Sequence, residues 1–145
     1  MPNTIHNQYS PDVVSPPGET LKATLDALGL TQAELAERMG RPKKTINEII
    51  KGKAALTPDT ALQLERVLGV PAAFWNNRDY HYREFLAMRQ ERERLRPKVA
   101  WLDTLPVREM VKLGWIEGYA DKVRQLQAVL DFFGVASPEV WKRIW

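Results

Sequence analysis

Between Ser15 and Asn76 the chain is punctuated at short intervals by helix-start and helix-stop residues, and no other feature limits its fold as tightly. Ser15-Pro-Pro opens a segment whose Leu21, Leu25 and Leu28 recur on one helical face before Gly29. Thr31-Gln-Ala-Glu34 has the spacing of a capping box, in which hydroxyl and carboxylate each satisfy an amide that the first helical turn leaves unpaired. The helix it opens directs Leu35, Ala36 and Met39 inward and stops at Gly40. Pro42 suits the first turn of a third helix, which ends at Gly52. Thr57-Pro58-Asp59 opens a fourth, with Ala61, Leu64 and Leu68 on a common face before Gly69; Val70-Pro71 leads into a fifth holding Phe74 and Trp75. Five helices in about sixty residues, joined by short loops, predict a compact all-α domain over residues 15–76.

The second and third helices carry the chemistry. Gly40, Arg41 and Pro42 alone separate them, too few for an antiparallel hairpin, so a steep helix-turn-helix crossing is expected. On a helical wheel Ile46, Ile49 and Ile50 form one face of the third helix. Lys44, Glu48 and Lys51 occupy the opposite face, flanked by Lys43, Thr45 and Asn47. Such side chains read base edges in a major groove: Asn pairs with adenine, Lys with guanine, and Glu with the cytosine amino group.

Charge placement points the same way. The net charge of +3 is modest, and residues 1–76 hold eight basic and eight acidic side chains. Yet residues 38–53 carry six basic residues (Arg38, Arg41, Lys43, Lys44, Lys51, Lys53) against the single acid Glu48. A concentrated cationic stripe inside a balanced region is an electrostatic footprint for a polyanion. Arg41, Lys51 and Lys53 are therefore expected on phosphates, with Lys44, Asn47 and Glu48 specifying sequence.

At this level the chain resembles the Cro/phage-repressor (XRE) helix-turn-helix family, on Gln32-Ala-Glu-Leu-Ala36-Glu-Arg-Met-Gly40 followed by Ile46 and Ile49. The wider string Pro17-Gly-Glu-Thr-Leu21, Gly29-Leu-Thr-Gln, Thr45-Ile-Asn-Glu-Ile49, Gly52-Lys53, Thr57-Pro-Asp-Thr-Ala61 and Phe74-Trp75 is similar to HigA-type antitoxins. The resemblance implies a five-helix, lambda-repressor-like DNA-binding domain that represses its own operon. It implies a phosphate contact by Gln32, and a groove-facing set of Lys43, Lys44, Asn47 and Glu48 with Thr45 beside them. The expected partners are double-stranded DNA with a palindromic operator, a second copy in a homodimer, and a toxin protein. Pro42 departs from the polar residue usual there and removes one backbone donor.

Residues 77–145 differ in composition. Of the aromatic residues only Tyr9 precedes Phe74, and all five Trp lie at 75 or later. Residues 77–96 read as one longer helix, whose Glu91/Arg94 and Glu93/Arg96 spacings fit surface pairing. Pro97 breaks it, Trp101–Pro106 reads as a loop, and short helices are expected from Pro106, over Asp121–Phe133, and after Ser137-Pro138. The apolar Val140-Trp141 and Ile144-Trp145 call for a partner surface. This half resembles the front of longer HigA-like regulators that continue into an ImmA/IrrE-type metallopeptidase-like domain, whose His-Glu-x-x-His helix these residues do not contain.

Cysteine is absent, which excludes disulfides and thiolate metal sites and fits a reducing, cytoplasmic setting. His6 and His81 are far apart, and His81 with Glu84 reads as a surface pair; no metal, cofactor or catalytic residue is expected. No apolar run reaches membrane-spanning length, and the first residues lack the pattern of a secretory signal. Residues 1–14 read as a tail.

Overall fold

The computed structural model describes residues 14–145, so all of the expected tail except Val14 lies outside the described residues. Within them the regular structure is entirely helical, and the chain divides into two compact units, the first ending at Leu86 and the second spanning Ala87–Trp145.

The first unit holds α1 (Pro17–Leu28), α2 (Gln32–Met39), α3 (Lys43–Ile50), α4 (Pro58–Leu68) and the start of α5 (Ala72–Leu95). The ends of these helices follow the local chemistry. Thr31 and Glu34 form the capping box, with amide-to-side-chain distances of 2.9 and 3.1 Å. The two Thr31 bonds, first the one from its amide, hold the Glu34 carboxyl below the usual range, with Arg38 adding a smaller pull. Thr57 caps α4, and the Glu65 carboxylate accepts from the Ala72 amide at the entrance to α5. Ser15 is not the cap of α1: Pro16 occupies that position without a side-chain bond.

The core of this unit is aliphatic around one indole. Leu21, Leu35, Ile46, Leu64 and Trp75 are fully buried, joined by Leu25, Ala36, Met39, Ile49, Leu56 and Ala61. Each large side chain so buried contributes about 1.5–3 kcal/mol. Leu28, expected on the inner face of α1, is the last residue of that helix and is 53% exposed, while Leu25 one turn before it is buried. Phe74 is also largely outside, edge-on to the buried Trp75.

The expected break after Asn76 does not occur: α5 runs unbroken through Leu95, since no residue from Ala72 to Leu95 is Gly or Pro. It stops where Pro97 removes an amide donor, and the chain continues as a 3-10 helix, Arg96–Thr104, where a loop was expected. The second unit then adds α6 (Val107–Lys112), α7 (Lys122–Phe133) and α8 (Pro138–Ile144). Asp121 and Ser137 cap α7 and α8. The core here is Leu95, Trp101, Leu102, Val123, Leu126, Val129 and Leu130, with Phe133 and Trp141 packed against it.

The charged end of α5 pairs partly as expected. Glu93 and Arg96 meet at 3.2 Å, but Glu91 accepts from Gln127 and Arg92 reaches Asp121 at 2.8 Å. Packing of α7 beside this end of α5 supplies nearer partners than the i,i+3 neighbour. Among the described residues no helix is long and apolar enough to cross a membrane.

Candidate nucleic-acid interface

Three residues, Gly40, Arg41 and Pro42, turn the chain from α2 into α3. Gly40 adopts φ 70°, the left-handed region where a side chain is costly, and the amides of Gly40 and Arg41 close the carbonyls of Glu37 and Ala36. Pro42 stands at the N-cap of α3 in extended conformation, one position before the helix rather than inside its first turn. No side chain caps α3, so its leading amides stay open beside Lys43 and Lys44.

The inner face of α3 is fixed by Ile46 and Ile49, both buried, and by a close backbone approach from α1. A Cβ at Gly18 would overlap the carbonyl oxygens of Ile49 and Ile50, so only glycine lets the first turn of α1 lie on the end of α3. With the inner face pinned, the outer face is presented in one orientation.

On that face Lys43, Lys44, Lys51 and Lys53 are exposed, and none forms an ion pair among the described residues. Thr45, Asn47 and Glu48 are half-buried between them. The Glu48 carbonyl accepts from the amides of Lys53 and Ala54 at 2.8 and 3.1 Å, which folds the chain after α3 back against its end. Gln32, the first residue of α2, meets α3 directly: its Oε1 accepts from Asn47 Nδ2 at 3.3 Å. Arg41 Nε donates to Gln63 Oε1 on α4 at 2.6 Å, leaving its two terminal nitrogens without a protein acceptor. All nine residues singled out from the sequence therefore belong to the turn, to α3 and its exit, or to the start of α2.

Three supporting residues escaped the sequence reading. Gln63 orients Arg41 across 22 positions, and no local pattern marks such a pair. Arg78 on α5 donates from Nε and its two terminal nitrogens to Ser15, Pro16 and Thr20, clamping the start of α1 over about 60 residues of chain. Gly18 did carry a signal, since a glycine inside a helical pattern usually marks a close approach. Elsewhere, His81 and Glu84 lie 4.0 Å apart and exposed, and among the described residues no group of three or more potential metal ligands converges.

Comparison with known proteins covers the same segment. A family model described as helix-turn-helix matches residues 21–75. The uncharacterized HTH-type transcriptional regulator YddM of Escherichia coli is 36% identical over 61 residues, 42% of this chain and 65% of that protein. The chain thus spans slightly less than two thirds of that relative. Virulence-associated protein A of Dichelobacter nodosus is 32% identical over 97 residues, 66% of this chain and 91% of that protein. Among solved structures, Pseudomonas aeruginosa antitoxin HigA with higBA promoter superposes with a TM-score of 0.54 at 25% identity, over 57% of this chain and 91% of that one.

Proposed function

Because this chain belongs to the XRE-type helix-turn-helix family, with HigA antitoxins among its relatives, we propose that it is a sequence-specific DNA-binding regulator that represses its own operon as a dimer. The observation that carries this is the outer face of α3: exposed lysines without ion-pair partners surround a half-buried Asn47 held against the head of α2. Lys43, Lys44, Thr45, Asn47 and Glu48 form the base-reading set, and Gln32, Arg41, Lys51 and Lys53 the phosphate-contacting set. One such module spans few base pairs, so two copies on a palindrome, with half-sites about one helical turn apart, supply the needed specificity.

The test is fluorescence anisotropy with a fragment of the chain's own promoter over a range of salt. Asn47→Ala is expected to lower preference at one base-pair position by about 1–3 kcal/mol. Lys53→Ala is expected to weaken all sequences alike and to flatten the salt slope by about one unit. Unchanged affinity for the cognate site in both variants would remove α3 as the reading head, and a monomer without salt-sensitive promoter binding would end the proposal.

A second activity, neutralisation of a toxin protein through the second unit, is favoured by one observation. Trp115 and Phe132 stack nearly parallel, 6.0 Å apart, while 57% and 46% exposed, an apolar ledge of the kind that protein partners cover. A neighbouring toxin gene whose product co-purifies with the full chain, but not with its Trp115→Ala variant, is the expected result.

A further inference from the structure

The family match ends at residue 75, and the second unit holds a feature that DNA reading does not use. Between the end of the 3-10 helix, α6 and the loop before α7 lies a cleft of about 680 Å³. We propose that this cleft is a binding site for a small carboxylate with an apolar body, of the medium-chain acyl or aryl type.

Its volume falls within the range of about 300–1,000 Å³ that holds small organic molecules. The walls are apolar where a ligand body would lie: Leu102 is buried, and Leu105, Val107 and Val111 are half-buried along the cleft. At the rim stand Arg108 on α6 and Lys122 at the first turn of α7, both exposed, neither in an ion pair among the described residues. Asp103 is the one acid lining the cleft. A net positive rim over an apolar interior suits a molecule with one anionic head and an apolar body. A cation of the same shape meets repulsion at the rim, and a neutral one gains only the contact with the walls.

The cleft is also held open in advance, which lowers the entropic cost of binding. Gln125, 8% exposed, spends its whole amide on the far wall: Oε1 accepts from the Tyr119 amide at 2.8 Å and Nε2 donates to the Glu117 carbonyl at 3.0 Å. The Arg124 guanidinium lies 4.6 Å from the Tyr119 ring centre and steadies the same loop from outside. At Gly118 a Cβ would stand 3.1 Å from Val111 Cγ1, so the loop already approaches α6 about as closely as its backbone allows. A cleft framed in this way does not close by inward movement of the loop at 117–120.

The experiment follows backbone amide shifts of the full chain by NMR during titration with decanoate, 2-naphthoate, decanol and decylamine. The expected result is saturable one-to-one binding of at least one carboxylate, with the largest shifts at Tyr119, Ala120 and Gln125, at least tenfold tighter than decanol and with no saturable binding of decylamine. Arg108→Gln with Lys122→Gln is expected to weaken carboxylate binding about tenfold or more. Ala120→Trp, at an exposed position lining the cleft, is expected to abolish binding while leaving the fold intact. The proposal is overturned by the absence of saturable binding for both carboxylates, by equal binding of decylamine, or by retention of affinity in either variant. Shifts centred on Trp115 and Phe132 instead of the cleft would overturn it too, since they report adsorption to the exposed ledge.

Discussion

Both units bury aliphatic side chains around one tryptophan, Trp75 in the first and Trp101 in the second, but only the second extends that ring outward through a run of partly buried and exposed aromatics. In the first, small residues at helix contacts (Gly18 against the end of α3, Ala36 within α2) let short helices approach closely, and the polar faces are left outward. In the second, Trp101, Trp141, Phe133, Phe132 and Trp115 follow one another at centroid distances of 5.1–6.0 Å, from the buried Trp101 to the exposed Trp115. Close packing of small residues fixes where a charged face points, which a groove-reading helix requires. A continuous run of rings fills space with few residues but leaves its last members open to a partner or ligand.

The largest expected effect tests whether close approach is what orders the first unit. Gly18→Ala places a methyl against backbone oxygens that cannot step aside, and a loss of about 4 kcal/mol or more is expected in chemical denaturation. Following the indole resonance of Trp75 beside those of Trp101 and Trp141 shows whether the loss is confined to the first unit; equal loss at all three would break the comparison. Next comes Arg78→Ala, which leaves the start of α1 without its clamp and is expected to cost about 1.5–3 kcal/mol by the same measurement. A stability change under about 0.5 kcal/mol would show that the helix packing alone seats α1.

Gln63→Leu is a finer probe of the DNA-facing surface. The charge of Arg41 stays, so the salt slope is expected to hold while affinity for all sequences drops about two- to fivefold; Arg41→Gln should instead lower the slope by about one unit. An unchanged affinity for Gln63→Leu would mean that Arg41 needs no aiming. The smallest effect lies in the second unit. Asp121 is held below the ordinary carboxylate range first by the bond from Arg92 and then by the amides of Arg124 and Val123. Its stabilisation is complete above the ordinary carboxylate pKa and fades as pH falls through the lowered folded value. Thermal melts of Asp121→Asn are therefore expected to fall slightly below the parent near neutrality, with the gap closing as pH drops through the lowered carboxylate range.

Helix by helix, legibility followed the range of the interaction. The capping box at Thr31, the left-handed stop at Gly40 and the inward Ile46 and Ile49 depend on residues within about one or two turns, so they could be read directly. The nine residues proposed for the site lie near one another because Arg41, Lys43, Lys44, Thr45, Asn47, Glu48 and Lys51 follow one another through the turn, α3 and its exit, and Gln32 and Lys53 adjoin those elements. Composition changes at Asn76, which predicts a boundary there, but composition does not end a helix: no Gly or Pro interrupts Ala72–Leu95, and α5 is continuous. The spacing pairs Glu91 with Arg94, but Gln127 of α7 takes Glu91 instead, and Arg92, which no local spacing pairs, meets Asp121 at the head of α7.

By itself the sequence determined the helix succession, the cationic stripe and the inner face of α3, since backbone capping and hydrophobic periodicity act over a few residues. Tertiary structure alone decided what seats and aims that face: Arg78 over the head of α1, Gln63 behind Arg41, and in the second unit the Gln125 frame beside the cleft. These are contacts between side chains or backbone brought together by packing, and a hydrogen bond that depends on such a meeting leaves no spacing in the chain to be read.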